Sequence, residues 1–378
     1  MLASSSAPRS ASDPTRSPRA RPHPSRSREA SDMSRVKDLA LQNVPVILLV
    51  VVFLAFAAVD PRFLSGDTIT LILRQSAYVG ILAVGMTLVL MTAGIDLAVG
   101  SLLYLTAVVV GQIVHTVAMP IFAVPILAVL IGAMFGAFNG FAVSVLKIIP
   151  FIVTLAMLTA FRGLGYGVSD SREVNYPDAI TALGAQSVLG IPLPIAVFAL
   201  VVLLAHVTVT RTPFGRQLLA TGEDRQAAAR AGVRVGRIQF AVYVISGALV
   251  GLASFIAVIQ QFSGTVTPAA GKGIEFDAIA AAVLGGTSLF GGRGSVFPGT
   301  VVGTLLIQLV NTGLGFIRVD LYLTQMVQAG IILLAVLIDS LRTGRLEKLR
   351  RTVITSGRQD DDPPPKPAAP AQTQEAGR

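Results

Sequence analysis

Asp96 stands inside an apolar run long enough to cross a bilayer, two residues after Gly94 and shortly before Gly100-Ser101. A carboxylate at that depth costs about 2.5–3.5 kcal/mol on insertion scales, so it faces a cavity, a partner or a helix start. Two roles fit it. It can line a polar path with the amides exposed where a helix restarts at Gly100 and Ser101, which attract hydroxyls or anions. Alternatively it caps that next helix. A second charged group, Lys272, Glu275 and Asp277 in the run Gly271-Lys272-Gly273-Ile274-Glu275-Phe276-Asp277, opens a later apolar segment on its external side. Glu275 and Asp277 are two apart and point in different directions on a helix, which excludes a paired-carboxylate acid–base site. One of them can cap the helix, and the other can meet Lys272 or a partner protein. A phosphate-binding loop would need Gly five residues before Gly271-Lys272 and Ser or Thr after it, where the chain has Val266 and Gly273. Cysteine is absent and His23, His115 and His206 are scattered, so neither thiol chemistry nor a metal cluster is expected. Without a catalytic constellation the chain is not expected to be an enzyme.

Glycine-rich interruptions connect these residues. One surrounds Gly94, Asp96 and Gly100, and the other runs from Gly285-Gly286-Thr287 through Gly291-Gly292-Arg293-Gly294-Ser295. At membrane depth a break survives only where protein buries it or a polar cavity adjoins it. Paired breaks in hydrophobic segments point to a substrate path. Gly94, Asp96, Gly100, Ser101, Gly285, Gly286 and Gly292 are therefore candidates for that path, and the chain reads as a membrane permease. A third group lies in a basic loop. Residues 221–232 read as a short isolated helix, started by Thr221 or Asp224, built on alanines and ended by Gly232. Two turns are marginal alone, so this helix either docks on a partner or rests on lipid headgroups.

The elements that must position these residues follow from composition. Of 378 residues 53% are hydrophobic and 13% charged, against about 25% charged in soluble proteins. The expected fold is all-α: a polytopic transmembrane helical bundle with broken helices and about ten spans, at roughly 20 residues per crossing. They fall near 44–59, 76–93, 98–117, 121–145, 150–168, 190–209, 238–261, 276–290, 296–316 and 321–340, with 60–75 as an interfacial connector. Residues 1–40 form a basic tail without an apolar run and 342–378 a basic, then Pro-rich tail; both are expected to be disordered, flanking a permease domain at 41–341. The net charge of +9 comes from Lys and Arg in the tails and the loop 210–237. An even number of spans puts all three on the cytoplasmic side, and this distribution speaks for membrane lipid and against nucleic acid as a partner. Tyr78, Tyr166, Tyr176, Tyr243 and Tyr322 read as interfacial aromatics near span ends. Gly132-xxx-Gly136-xxx-Gly140 and Gly247-xxx-Gly251 read as close helix contacts.

The loop resembles the coupling loop of ATP-binding cassette (ABC) importers. The sugar-type pattern is Gly-x-Asn-x-Glu-Ala-Ala with a later Gly; here stand Gly222, Glu223, Asp224, Gln226, Ala227, Ala228 and Gly232, with Asp224 in place of Asn and Gln226 in place of Glu. Gly94-Ile95-Asp96-Leu97-Ala98-Val99-Gly100-Ser101 is similar to the family's Gly-Ile-Asp-Leu-Ser-Val-Gly-Ser signature. Lys147, Pro150 through Leu155 and Arg162-Gly163 match a further segment, and 276–296 another long signature. Over roughly residues 40–340 the chain resembles the permease subunits of ribose/xylose-type ABC importers, which are related to branched-chain amino-acid permeases. The resemblance implies a homodimeric, sometimes heterodimeric, core in a bacterial inner membrane. A separate ATPase subunit would bind ATP, this chain carrying no cofactor, and a periplasmic or lipid-anchored sugar-binding protein would deliver a monosaccharide or polyol. The alternatives are a branched-chain amino-acid ABC permease and an ion-coupled secondary transporter, which would not need the loop 210–237.

Overall fold

A computed structural model describes residues 44–320 without interruption and some positions between 323 and 337. Both predicted tails, Tyr322 and much of the predicted span 321–340 lie outside the described residues. The chain is built of helices. Among the described residues, seven are long and apolar enough to cross a bilayer. They are α2 (Gly66–Met91), α3 (Val99–Thr116), α4 (Ala123–Ser144), α5 (Pro150–Ser169), α7 (Leu193–Arg211), α10 (Val235–Gln260) and the stretch Val296–Phe316, a π-turn that continues into α12 (Val301–Phe316). Two further apolar helices are shorter: α1 (Val44–Val59) and α11 (Ile274–Leu284). A one-turn helix α6 (Asp178–Thr181) lies in the connection between α5 and α7. Strand β1 (Val174–Asn175) pairs antiparallel with β4 (Thr265–Val266), and β2 (Ser187–Val188) with β3 (Ile191–Pro192).

Local signals set the helix starts. Pro150 opens α5 with its φ pre-set, and Pro213 does the same for α8 (Pro213–Glu223) after the Thr212 cap. The Ser65 hydroxyl accepts the Thr68 amide at 3.2 Å and starts α2. This cap corrects the expected connector over 60–75, which is confined to Asp60, the single turn Pro61–Leu64 and Ser65. Asp67 belongs to the first turn of α2, where the helix dipole favours an acid. The eighth predicted span, 276–290, contracts to the 11 residues of α11.

Around α10 the helices approach to backbone contact. A side chain on Gly132 of α4 would strike the Gly247 carbonyl, and one on Gly251 the Ala128 carbonyl, so the two small-residue stripes face each other. Between α2 and α12 runs a polar seam: Thr87 and Thr300 share a hydrogen bond of 2.7 Å, and Gln308 donates to Gln75 at 2.8 Å. The tyrosines depart from expectation. Tyr243 is 1% exposed in the core of α10, and Tyr176 is buried with its hydroxyl donating to the Ala107 carbonyl at 2.6 Å. With an interior partner or a packed ring, these side chains have no reason to seek an interface.

Candidate translocation and coupling sites

At its C-terminus α2 stops because Thr92 turns its hydroxyl onto the Val89 carbonyl, at 2.7 Å, and Ala93 takes a left-handed φ of 56°. Residues 94–96 have no regular secondary structure, and Asp96, 4% exposed, accepts the Ala98 amide at 2.9 Å. Asp96 thus satisfies the amide of Ala98, the residue before α3, whose own start carries no side-chain cap. Gly94 lies against Val89 and the Tyr243 hydroxyl, which has no hydrogen-bond partner among the described residues. Thr154 of α5 ties the break down by donating to the Ile95 carbonyl at 3.0 Å. Gly100 and Ser101 are already helical and buried, in the first turn of α3.

That first turn meets another. Gly100 abuts the Glu275 carboxylate, the Gly271 carbonyl and Ile274, and Gly271 in turn abuts the Gly100 carbonyl. Eleven residues rise only about 16 Å, and α11 ends where Gly285 packs on Gly299 and Thr300. Its start therefore lies inside the bundle, reached by residues 267–273 turning inward from β4. Two helix N-termini converge there, and Glu275 supplies negative charge where both dipoles are positive. Neither acid is the cap, contrary to one expectation: Gly273 occupies that position with φ 83° and no side-chain bond. Behind the inward segment stands Arg162 of α5. Its Nη1 donates to the Ala270 carbonyl at 2.6 Å, its guanidinium lies 4.9 Å from the Tyr104 ring centre, and Glu275 is a charged neighbour. In front of the segment opens a cavity of about 870 Å³ whose wall includes Tyr78, Ala270, Gly271, Lys272, Gly273 and Asp277.

The second break, 285–295, and the basic loop meet the first break at the other end. Gly286, Gly291 and Gly292 have φ of 91°, 86° and 73°. The Gly292 amide donates to the Met91 carbonyl at 3.1 Å, linking the two breaks directly. Gly222 fills the remaining space: a Cβ there would collide with the Met91 carbonyl and lie 2.5 Å from the Gly292 nitrogen. Gly222 sits in the last turn of α8, so close approach, not turn geometry, requires glycine at this position. Glu223 lies against Gly292, and Arg225 donates to the Thr92 carbonyl at 3.2 Å.

The expected single helix over 221–232 is divided by Asp224 into α8 and α9 (Arg225–Arg230). Asp224, rather than Thr221, starts α9, accepting the Gln226 and Ala227 amides at 2.8 and 3.0 Å. Ala228 is buried. Gly232, with φ 84°, ends the helix: its amide donates to Ala229 and that of Val233 to Ala228, the paired bonds of a left-handed cap.

The structure thus joins Gly222, Glu223 and Gly292 at one end, and Gly100, Gly271 and Glu275 within the bundle. Lys272 and Asp277 line the cavity, while Gly286 faces open space. Sequence reasoning missed Arg162 as a site residue, although the rule that flagged Asp96, an ionisable group inside a predicted span, flags it equally. Tyr104 and Tyr243 carry no such signal.

A family model described as branched-chain amino acid transport system / permease component matches residues 68–336. The ribose import permease of Haemophilus influenzae is 38% identical over 299 residues, covering 78% of this chain and 91% of that protein. The D-allose transport system permease of Escherichia coli is 35% identical over 78% of this chain and 90% of its own length. The fructose import permease of Rhizobium meliloti is 36% identical over 78% of this chain and 84% of its own. No solved structure matches the chain. With the family match spanning most of its length, this chain belongs to the transport-system permease-component family.

Proposed function

We propose that this chain is the membrane-spanning permease subunit of an ATP-driven importer for a monosaccharide or related polyol. The observation that carries the reading is the packing of Gly222 on the Met91 carbonyl and the Gly292 amide. It makes the basic loop and both glycine breaks one mechanical unit, so a force on α8 and α9 reaches the path. An ATPase subunit that binds ATP engages α9 from the cytoplasm, and a sugar-binding protein docks on the β1–β4 side. A second copy of the chain completes the path in a bacterial inner membrane. Adding α1, α11 and the segment 321–340 to the seven long helices gives about ten spans, with both termini and the loop cytoplasmic. Relatives named for ribose, allose and fructose support a sugar over a branched-chain amino acid. The test is uptake by proteoliposomes holding this chain, its ATPase and its binding protein, over a panel of pentoses, hexoses, polyols and branched-chain amino acids. ATP-dependent uptake of one sugar is expected; uptake driven by an ion gradient without ATP would refute the reading.

Docking of α9 should depend on pH through Asp224. The Ala227 and Gln226 amides hold its carboxyl below the ordinary value of 3.8. A lowered carboxyl stabilises the helix above the unfolded value and loses that contribution as pH falls through the folded one. Capture of the ATPase by the full chain should therefore hold at neutral pH and weaken below about pH 4. Asp224→Asn, also a good cap, should keep capture at neutral pH and blunt the acid loss, whereas Asp224→Ala should weaken capture throughout. Equal capture by all three chains would remove the cap from the docking account.

A further inference from the structure

Beside the coupling loop lies a second cavity, of about 590 Å³, bounded by Ala93, Ser144, Lys147, Pro150, Arg225 and Gln239 among others. Its character differs from that of the larger cavity. Two cations line it and no carboxylate does. Lys147 is held on a left-handed turn, φ 57°, in the connection between α4 and α5. Gln239 of α10 is 7% exposed, and its amide has no protein partner among the described residues. Its carboxamide opens onto the cavity and is available to a guest. Two cations and a carboxamide donor together match the oxygens of a phosphate.

We propose that this cavity binds a phosphate group, held by Lys147, Arg225 and Gln239. The rim indicates where the phosphate comes from. Leu146, Ile148, Ile149 and Phe151 are exposed apolar residues beside Lys147, placed to meet acyl chains while the head group enters the cavity. Basic pockets between transmembrane helices on the cytoplasmic side are suited to anionic head groups. A soluble phosphate monoester is the other source of the same chemistry. Occupancy has a consequence for coupling, because Arg225 is the first residue of α9 and already holds the Thr92 carbonyl. A bound phosphate fixes that guanidinium, and with it the start of the docking helix against the first break.

The binding test uses the full chain alone in neutral detergent and so is independent of the transport reading. Thermal unfolding is followed while short-chain phosphatidylglycerol, phosphate-free short-chain diacylglycerol, glycerol 3-phosphate or inorganic phosphate is added. Phosphatidylglycerol should raise the midpoint saturably, and diacylglycerol should not. Lys147→Gln, an exposed position that does not threaten folding, should raise the half-saturating concentration about tenfold, Gln239→Leu should raise it further, and Lys147→Arg should restore it. An equal shift with glycerol 3-phosphate or inorganic phosphate would assign the site to soluble phosphates. Equal responses of wild type and Lys147→Gln, or of the phosphate-bearing and phosphate-free lipids, would overturn the proposal. So would the absence of any anion effect together with loss of ATPase capture in Lys147→Gln, which would assign the cavity to a protein contact.

Discussion

Gly222→Val should abolish ATP-driven uptake while leaving the chain inserted and helical. The substituent has no space: its Cβ collides with the Met91 carbonyl and crowds the Gly292 nitrogen. Either α8 moves away or the 3.1 Å bond from Gly292 to Met91 breaks. Overpacking of this kind costs about 1–3 kcal/mol, enough to uncouple two segments held by one hydrogen bond and van der Waals contact. Uptake in proteoliposomes should fall at least tenfold, and the ATPase should lose its stimulation by the loaded binding protein. Gly232→Asn serves as the contrast. Gly232 needs only a left-handed backbone and faces open space, and asparagine tolerates that conformation, so most uptake should remain. Normal transport by Gly222→Val would remove the three-way contact from the mechanism.

Arg162→Met should reduce transport by about the same factor for a different reason. The guanidinium is the clamp behind the inward segment 267–273, donating to Ala270 at 2.6 Å and stacked over Tyr104. A hydrogen bond from a charged donor is worth about 1.5–3 kcal/mol, which is roughly tenfold to hundredfold in the population of this arrangement. Lysine brings the charge without the planar fork, so Arg162→Lys should retain partial uptake. Glu275 faces the same cation, and adding Glu275→Gln to Arg162→Met should cost less than the two single losses together, as for members of one network. Uptake by Arg162→Met at the wild-type rate would show that the clamp is idle.

Much of this was legible in the sequence where a local signal decides the structure. Alanines between Asp224 and Gly232 specify α9 with both its ends, and Asp96 between two glycines marks a real break. Helix extents were less legible where polar residues fall inside a span: Asp67 and Arg74 lower the hydropathy of 66–75, and only the Ser65 cap indicates that α2 begins there. The shortness of α11 depends on Gly273, which bounds it through a left-handed φ of 83°, and on Gly285, whose packing on Gly299 and Thr300 no periodicity reveals. Gly222 carries in the sequence only its place in the coupling-loop pattern, whereas its structural reason is contact with residues about 70 and 130 positions away, an approach set by the assembled bundle. Tyr243 has the residue type of an interfacial aromatic, and only the packing of α10 against α4 puts it in the core.

The account rests on the basic loop and the two breaks moving as one unit. The chain contains no cysteine, so spin labels attach only where cysteines are introduced. Labelled pairs at Gln226→Cys with Ser288→Cys, and at each of these with Asp178→Cys, would be measured in the reconstituted importer with and without ATP. The expected result is an unchanged distance between positions 226 and 288 while both move relative to 178. A shift of 226 against 288 on ATP binding, with 288 stationary relative to 178, would contradict the account.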